Sequence, residues 1–140
     1  MNNKTVTVIM SVFNNESTLE NSIKIKRQQI KSLNSQILRT QEIHNENKNI
    51  LKDKIDIYQN ISDRYQRLLD EGAISELDLL DQKTKLQTLK SDLLQYEMDW
   101  TTKSKSQEVQ MQELKNSLNE LEGRLIENNL NLGNKVINSP

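Results

Sequence analysis

From residue 24 onward the apolar side chains recur every seven residues. Ile23, Ile30, Ile37, His44, Leu51, Tyr58 and Tyr65 make one series, and Leu33, Ile61 and Leu68 fall three residues on, with polar Thr40, Asn47 and Lys54 between them. A sustained seven-residue repeat predicts a coiled-coil seam along a long helix, here with a weak middle. A second series follows in Leu79, Leu86, Leu93, Trp100, Gln107, Leu114 and Leu121. Its companions are first Leu89 and Tyr96, then Met111, Leu118, Leu125 and Leu132, so the companion spacing slips by one residue around 101 to 107. Such a slip is a stutter in the heptad pattern.

Between the two series lies Arg64-Tyr-Gln-Arg-Leu-Leu-Asp-Glu-Gly-Ala-Ile-Ser75, which holds the only glycine before Gly123. Gly72 suits the left-handed conformation that ends a helix, Ser75 can cap the next one, and Asp78 falls in the positive first turn of that helix. If the helices fold back antiparallel, facing residues have numbers that add to a constant. Ile30 with Leu114, Ile37 with Gln107, His44 with Trp100, Leu51 with Leu93, Tyr58 with Leu86 and Tyr65 with Leu79 all add to 144, twice the number of Gly72. Seam register and turn chemistry agree on one architecture. The expected fold is all-α, a long antiparallel two-helix coiled-coil hairpin over 18–132 with its tip at Gly72. Its first helix, from about Thr18 to Glu71, would be roughly 80 Å long and the molecule a rod.

The flanks read differently. Residues 5 to 13, Thr-Val-Thr-Val-Ile-Met-Ser-Val-Phe, are apolar and β-branched, and predict a short strand. Asn14-Asn15-Glu16 predicts a turn, and Ser17 with Glu20 has capping-box spacing, so a helix is expected to begin near Thr18. Gly133-Asn134 signals a helix stop, and residues 135–140 read as the start of a strand. The opening resembles the first strand, nucleotide-contacting loop and first helix of family 2 glycosyltransferases, over about 24 residues. In that family the loop matching Phe13 to Glu16 lies against the nucleotide of a sugar donor. No Asp-x-Asp metal motif follows, and one strand cannot make a nucleotide-binding sheet. Residues 1–17 are therefore expected to form no functional domain, and Val6 to Phe13 to be loosely ordered or helical by extension of the first helix and to bind no uridine nucleotide.

Composition narrows the class. Of 140 residues 34% are hydrophobic, 4% aromatic and 28% charged, with three glycines and one proline, which suits long amphipathic helices better than a globular core. The formal charge is −1 with both signs interspersed, so no basic block is present to neutralise nucleic acid. Cysteine is absent, which excludes disulfides and thiolate metal sites and leaves the redox compartment open. The longest apolar run, Val6 to Phe13, falls well short of the roughly 20 residues of a membrane span, and it lacks a signal-peptide cleavage site. There is no Ser/His/Asp set and no phosphate-cradling glycine loop, and a two-helix seam offers no cleft, so no catalysis and no cofactor are expected. His44, the sole histidine, sits on the seam without a second imidazole, which favours a register-fixing polar residue over a metal ligand. Trp100 and the three tyrosines are accounted for by seam packing.

The hairpin and its tip resemble the HlyD-like periplasmic adaptors, or membrane fusion proteins, of type I secretion and efflux. Their tip motif is Arg, three residues, Leu, six residues, Ser. Arg64, Leu68 and Ser75 stand at that spacing, and Val136-Ile-Asn-Ser-Pro140 looks like the segment that re-enters a lipoyl-like β domain. The resemblance covers about residues 25 to 140. It implies a periplasmic hairpin within an inner-membrane-anchored parent, with tip residues Arg64, Leu68 and Ser75 meeting a TolC-like outer-membrane channel. It also implies a link to an inner-membrane ABC transporter and a homo-oligomeric parent. Each tip residue has a plainer account as well: Ser75 as a helix cap, Leu68 as the last seam layer, and Arg64 paired with Asp63 or Glu71.

Overall fold

In the computed structural model, which describes residues 3–137 and the side chains of 15–133, the chain forms two helices and no strand among the described residues. Helix α1 spans Asn3–Asp70 and α2 spans Glu76–Ile137, and the two pack against each other as an antiparallel hairpin. The chain divides into two units, one of residues 37–106 and one of residues 1–36 with 107–140.

The unit of residues 37–106 contains the reversal. Its α1 inner face is marked by buried His44 and Ser62 and by half-buried Ile37, Thr40, Lys48, Leu51, Ile55, Tyr58, Tyr65 and Leu69. On α2, Leu79 and Leu86 are buried and Gln82, Leu89, Leu93, Tyr96 and Trp100 half-buried. The seven-residue series is thus the seam, but on α1 its companion stands elsewhere than expected. After His44 the inner face steps by four, to Lys48, Ile55, Ser62 and Leu69, whereas Asn47, Lys54 and Leu68 are exposed. A step of four instead of three is a stutter, and it puts Ile55 on the inner face in place of Lys54 and Leu69 in place of Leu68, at the cost of Ser62 in place of Ile61.

In the other unit Ile23 is buried at 5% exposure, Ile30 and Leu33 are half-buried, and Arg27 forms an ion pair with Glu122 across the helices at 3.0 Å. On α2 Gln107 is buried and Met111, Leu114, Leu118, Leu121, Leu125 and Leu132 are half-buried, the slipped spacing read from the sequence.

Three expectations for the flanks are corrected. Residues 5–13 form no strand and lie inside α1, which is the helical extension expected for Val6 to Phe13 as the alternative to loose order. A lone strand leaves its backbone N–H and C=O groups without partners, while a helix satisfies them locally and continues one that is already nucleated. For the same reason Ser17 and Glu20 sit within α1 and start nothing, and Gly133-Asn134 lie within α2, which runs on to Ile137. Gly72 alone has positive φ among the described residues. The last residues of the expected exit strand, 138–140, lie outside the described residues.

Candidate functional site

The reversal is built from two interlocked caps. At the end of α1, Gly72 adopts φ 75°, the Ala73 N–H donates to the Leu68 carbonyl at 2.8 Å, and the Gly72 N–H donates to the Leu69 carbonyl at 2.9 Å. This is a Schellman motif, in which Gly72 takes the left-handed position at no steric cost and two of the orphan carbonyls find donors. At the start of α2 the Asp78 N–H donates to the Ser75 hydroxyl oxygen at 3.3 Å. The Ser75 N–H and hydroxyl donate in turn to Asp78 Oδ2, at 3.1 and 2.8 Å. It is a reciprocal capping box with aspartate in the place glutamate usually takes. The Ser75 hydroxyl and N–H hold the Asp78 carboxyl below its ordinary range. Five residues, 71 to 75, reverse the chain with its end groups bonded.

Around this turn the three motif residues are solvent-facing. The Leu68 side chain is 37% exposed, so it does not close a seam layer; half-buried Leu69 stands on the inner face instead. Ser75 is engaged as the cap. Arg64 is exposed and makes no hydrogen bond or ion pair with the described residues. Neither expected partner, Asp63 nor Glu71, pairs with it, and Asp63 accepts instead from Gln59 at 3.1 Å. Leu77 and Leu80, just inside α2, are 75% and 58% exposed and had no place in the heptad reading.

A second cluster sits farther from the turn on the seam. The His44 ring lies between Trp100, at 4.2 Å and 9° from parallel, and Tyr96, at 4.9 Å and 16°. Tyr96 donates its hydroxyl to the His44 carbonyl at 3.4 Å. On the neighbouring turns Lys48 Nζ lies 2.8 Å from Glu97 Oε1, and His44 Nε2 lies 3.7 Å from the same oxygen. The Lys48 ammonium holds the Glu97 carboxyl below its usual range. That oxygen is shut off from water, and the 2.8 Å ion pair with Lys48 is what meets its charge. Half-buried Lys48 can spend its aliphatic stem on the seam while its ammonium pairs with Glu97. The stack joins the pair His44 and Trp100 that the register predicts, whereas Lys48, Glu97 and Ser62 are polar and carry no signal in an apolar repeat. No group of three or more metal-binding side chains occurs among the described residues, and none of the described helices is long and apolar enough to cross a membrane. Comparison with protein-family models, with curated proteins and with solved structures finds no match.

Proposed function

We propose that this hairpin is the non-catalytic helical arm of a HlyD-like secretion or efflux adaptor, whose tip docks on a TolC-like outer-membrane channel. In this reading the arm belongs to a periplasmic, inner-membrane-anchored parent that links the channel to an ABC transporter. The observation that carries the reading is Arg64. A guanidinium with five donors stands exposed and unpaired one helical turn from Leu68, beside a reversal whose own polar groups are bonded. An arginine left without a partner in its own chain is suited to carbonyls or carboxylates on another. Leu68 supplies an apolar contact next to it, and Ser75 fixes α2 so that the two are presented together.

The test is export by the parent system. Interface energy concentrates in a few groups, so Arg64→Ala and Leu68→Ala are each expected to weaken docking by roughly 1 to 3 kcal/mol. Helix content measured by circular dichroism should stay unchanged, because both residues are exposed. Intact export in both variants, with loss on changing exposed residues far from the turn, would instead favour a plain coiled-coil spacer.

A further inference from the structure

Counting by sevens from Ile43 along α1 gives Ile50, Ile57 and Arg64, and counting back by sevens from Leu68 gives Ile61, Lys54 and Asn47. The two rows stand three and four residues apart, so they form one face of the helix, and that face runs into the two motif residues beside the turn. It is not the seam. Ile43, Ile50 and Ile57 stand one residue before seam positions His44, Leu51 and Tyr58, ~100° away from them, and are 51%, 53% and 57% exposed. A scattered exposed leucine is ordinary, but a row of isoleucines at heptad spacing is of the kind a further helix covers. At the end farther from the turn the face meets a groove of about 350 Å³, lined by Ile43, Thr40 and Asn47 on α1 and by Tyr96, Asp99 and Trp100 on α2.

Both edges of this face are mainly acidic. On α1 the outer edge carries Glu42, Glu46, Asp53 and Asp56, all exposed and none with a hydrogen bond or ion pair among the described residues. Glu42 and Glu46 stand four residues apart and Asp53 and Asp56 three, spacings at which like charges on a helix repel. Their own chain gives them no cation. The other edge belongs to α2, where Asp99 shares the groove with Ile43 and Asp92 stands one heptad nearer the turn, each one residue before a seam position. Lys103 and Lys85 also lie on that edge, the latter paired with Asp81 at 2.9 Å. We propose that this face receives a helix of a second protein, one whose apolar stripe is flanked by lysine or arginine. The isoleucine row takes the stripe, the groove beside Ile43 takes a large side chain of the incoming helix, and the unpaired carboxylates take its cations. From residue 43 to residue 64 the face extends ~32 Å, about six turns of such a helix. A second copy offering the same face would set carboxylates against carboxylates, and an anionic lipid surface or a nucleic acid would meet the same repulsion. Side-on binding does not need the tip to dock, so either can fail alone.

The experiment uses the full chain and a labelled synthetic helical peptide of about six turns, with leucine along one stripe, lysine on both flanks and no aromatic residue. Peptide anisotropy reads binding, and the fluorescence of Trp100, the sole tryptophan, reads occupation of the groove. Saturable binding with a shift of the Trp100 spectrum is expected, and a peptide with glutamate in place of lysine should bind at least about tenfold more weakly. Ile50→Ser is expected to weaken the lysine peptide at least about tenfold. Asp53→Lys with Asp56→Lys should weaken it about two- to fivefold, and less so in high salt. Leu94→Ser, exposed one residue after seam position Leu93 and so on the other side of the hairpin, should change it less than about twofold. Circular dichroism should match the parent in all of these variants, because every substituted residue is exposed. No saturable binding, equal binding of the glutamate peptide, an unmoved Trp100 spectrum at saturation, or an equal loss at Leu94→Ser overturns the proposal. So does sedimentation in which the chain self-associates and Ile50→Ser makes it monomeric, because a second copy then covers the face.

Discussion

The turn at 71–75 and the chain's two flanks carry the same kinds of local signal and do opposite things with them. Gly72 ends a helix and Ser75 with Asp78 begins one, yet Gly133 lies inside α2, and Ser17 with Glu20, at the same three-residue spacing, lies inside α1. The difference is what packing offers on either side. Breaking the helix at Gly72 lets α2 fold back, with Leu79 and Leu86 buried and Tyr65 and Tyr58 half-buried at the matching positions of the register. Breaking it at Ser17 or Gly133 would give up backbone hydrogen bonds with no such return among the described residues. A cap motif permits an end; tertiary burial decides whether one forms.

This comparison can be broken by substitution. The largest effect is expected at Gly72: alanine there meets no atom within 4 Å, so only the left-handed backbone at φ 75° resists it, at about 1 to 2 kcal/mol of hairpin stability. Thermal unfolding measures it, and an unchanged midpoint would show that the turn does not need its glycine. Next is Ser75→Ala, expected to cost about 1 kcal/mol by removing the cap. The same box adds a pH dependence of known sign. The folded carboxyl of Asp78 is held below its unfolded range, so its contribution is present above that range, near pH ~3.9, and is lost as the pH falls through the folded value. Acid should therefore narrow the gap between Ser75→Ala and the parent, and a gap that widens in acid would contradict the capping box.

Gly123 and Gly133 are expected to behave in the reverse sense. Neither has positive φ and neither would bring a new Cβ within 4 Å of a neighbour, so alanine at each should raise stability, by up to about 1 kcal/mol, as in any helix interior. Ser17→Ala is the smallest, within about 0.5 kcal/mol, because an exposed serine in mid-helix caps nothing. A loss at Ser17 as large as that at Ser75 would mean that α1 does begin there.

The same logic separates what was legible in the sequence from what was not. The hairpin and its level-matching were legible, since seven-residue spacing is a long-range signal repeated many times, and the stack of His44 on Trp100 falls on the predicted pair. The companion face of α1 was not. Lys48 and Ser62 occupy it, and neither is apolar, so the shift from the three-residue to the four-residue companion leaves no mark at these positions in the hydrophobic pattern. At the tip, spacing singled out Arg64, Leu68 and Ser75, but only the bonded geometry separates a serine that is fully engaged as a cap from an arginine that has no partner in its own chain. Exposed Leu77 and Leu80 carried no signal, because neither falls on the seam series or its companions.

The central claim is the register about Gly72, and one disulfide experiment tests it directly. Leu51→Cys with Leu93→Cys places two cysteines at facing seam positions, and Leu51→Cys with Leu86→Cys places them one heptad, about 10 Å, out of step. Facing positions bring the backbones within bridging reach and the shifted pair does not. Under mild oxidation at low protein concentration the first pair is predicted to close an intramolecular disulfide rapidly and the second to remain reduced. Equal closure of both pairs, or preferential closure of the shifted one, would contradict the register.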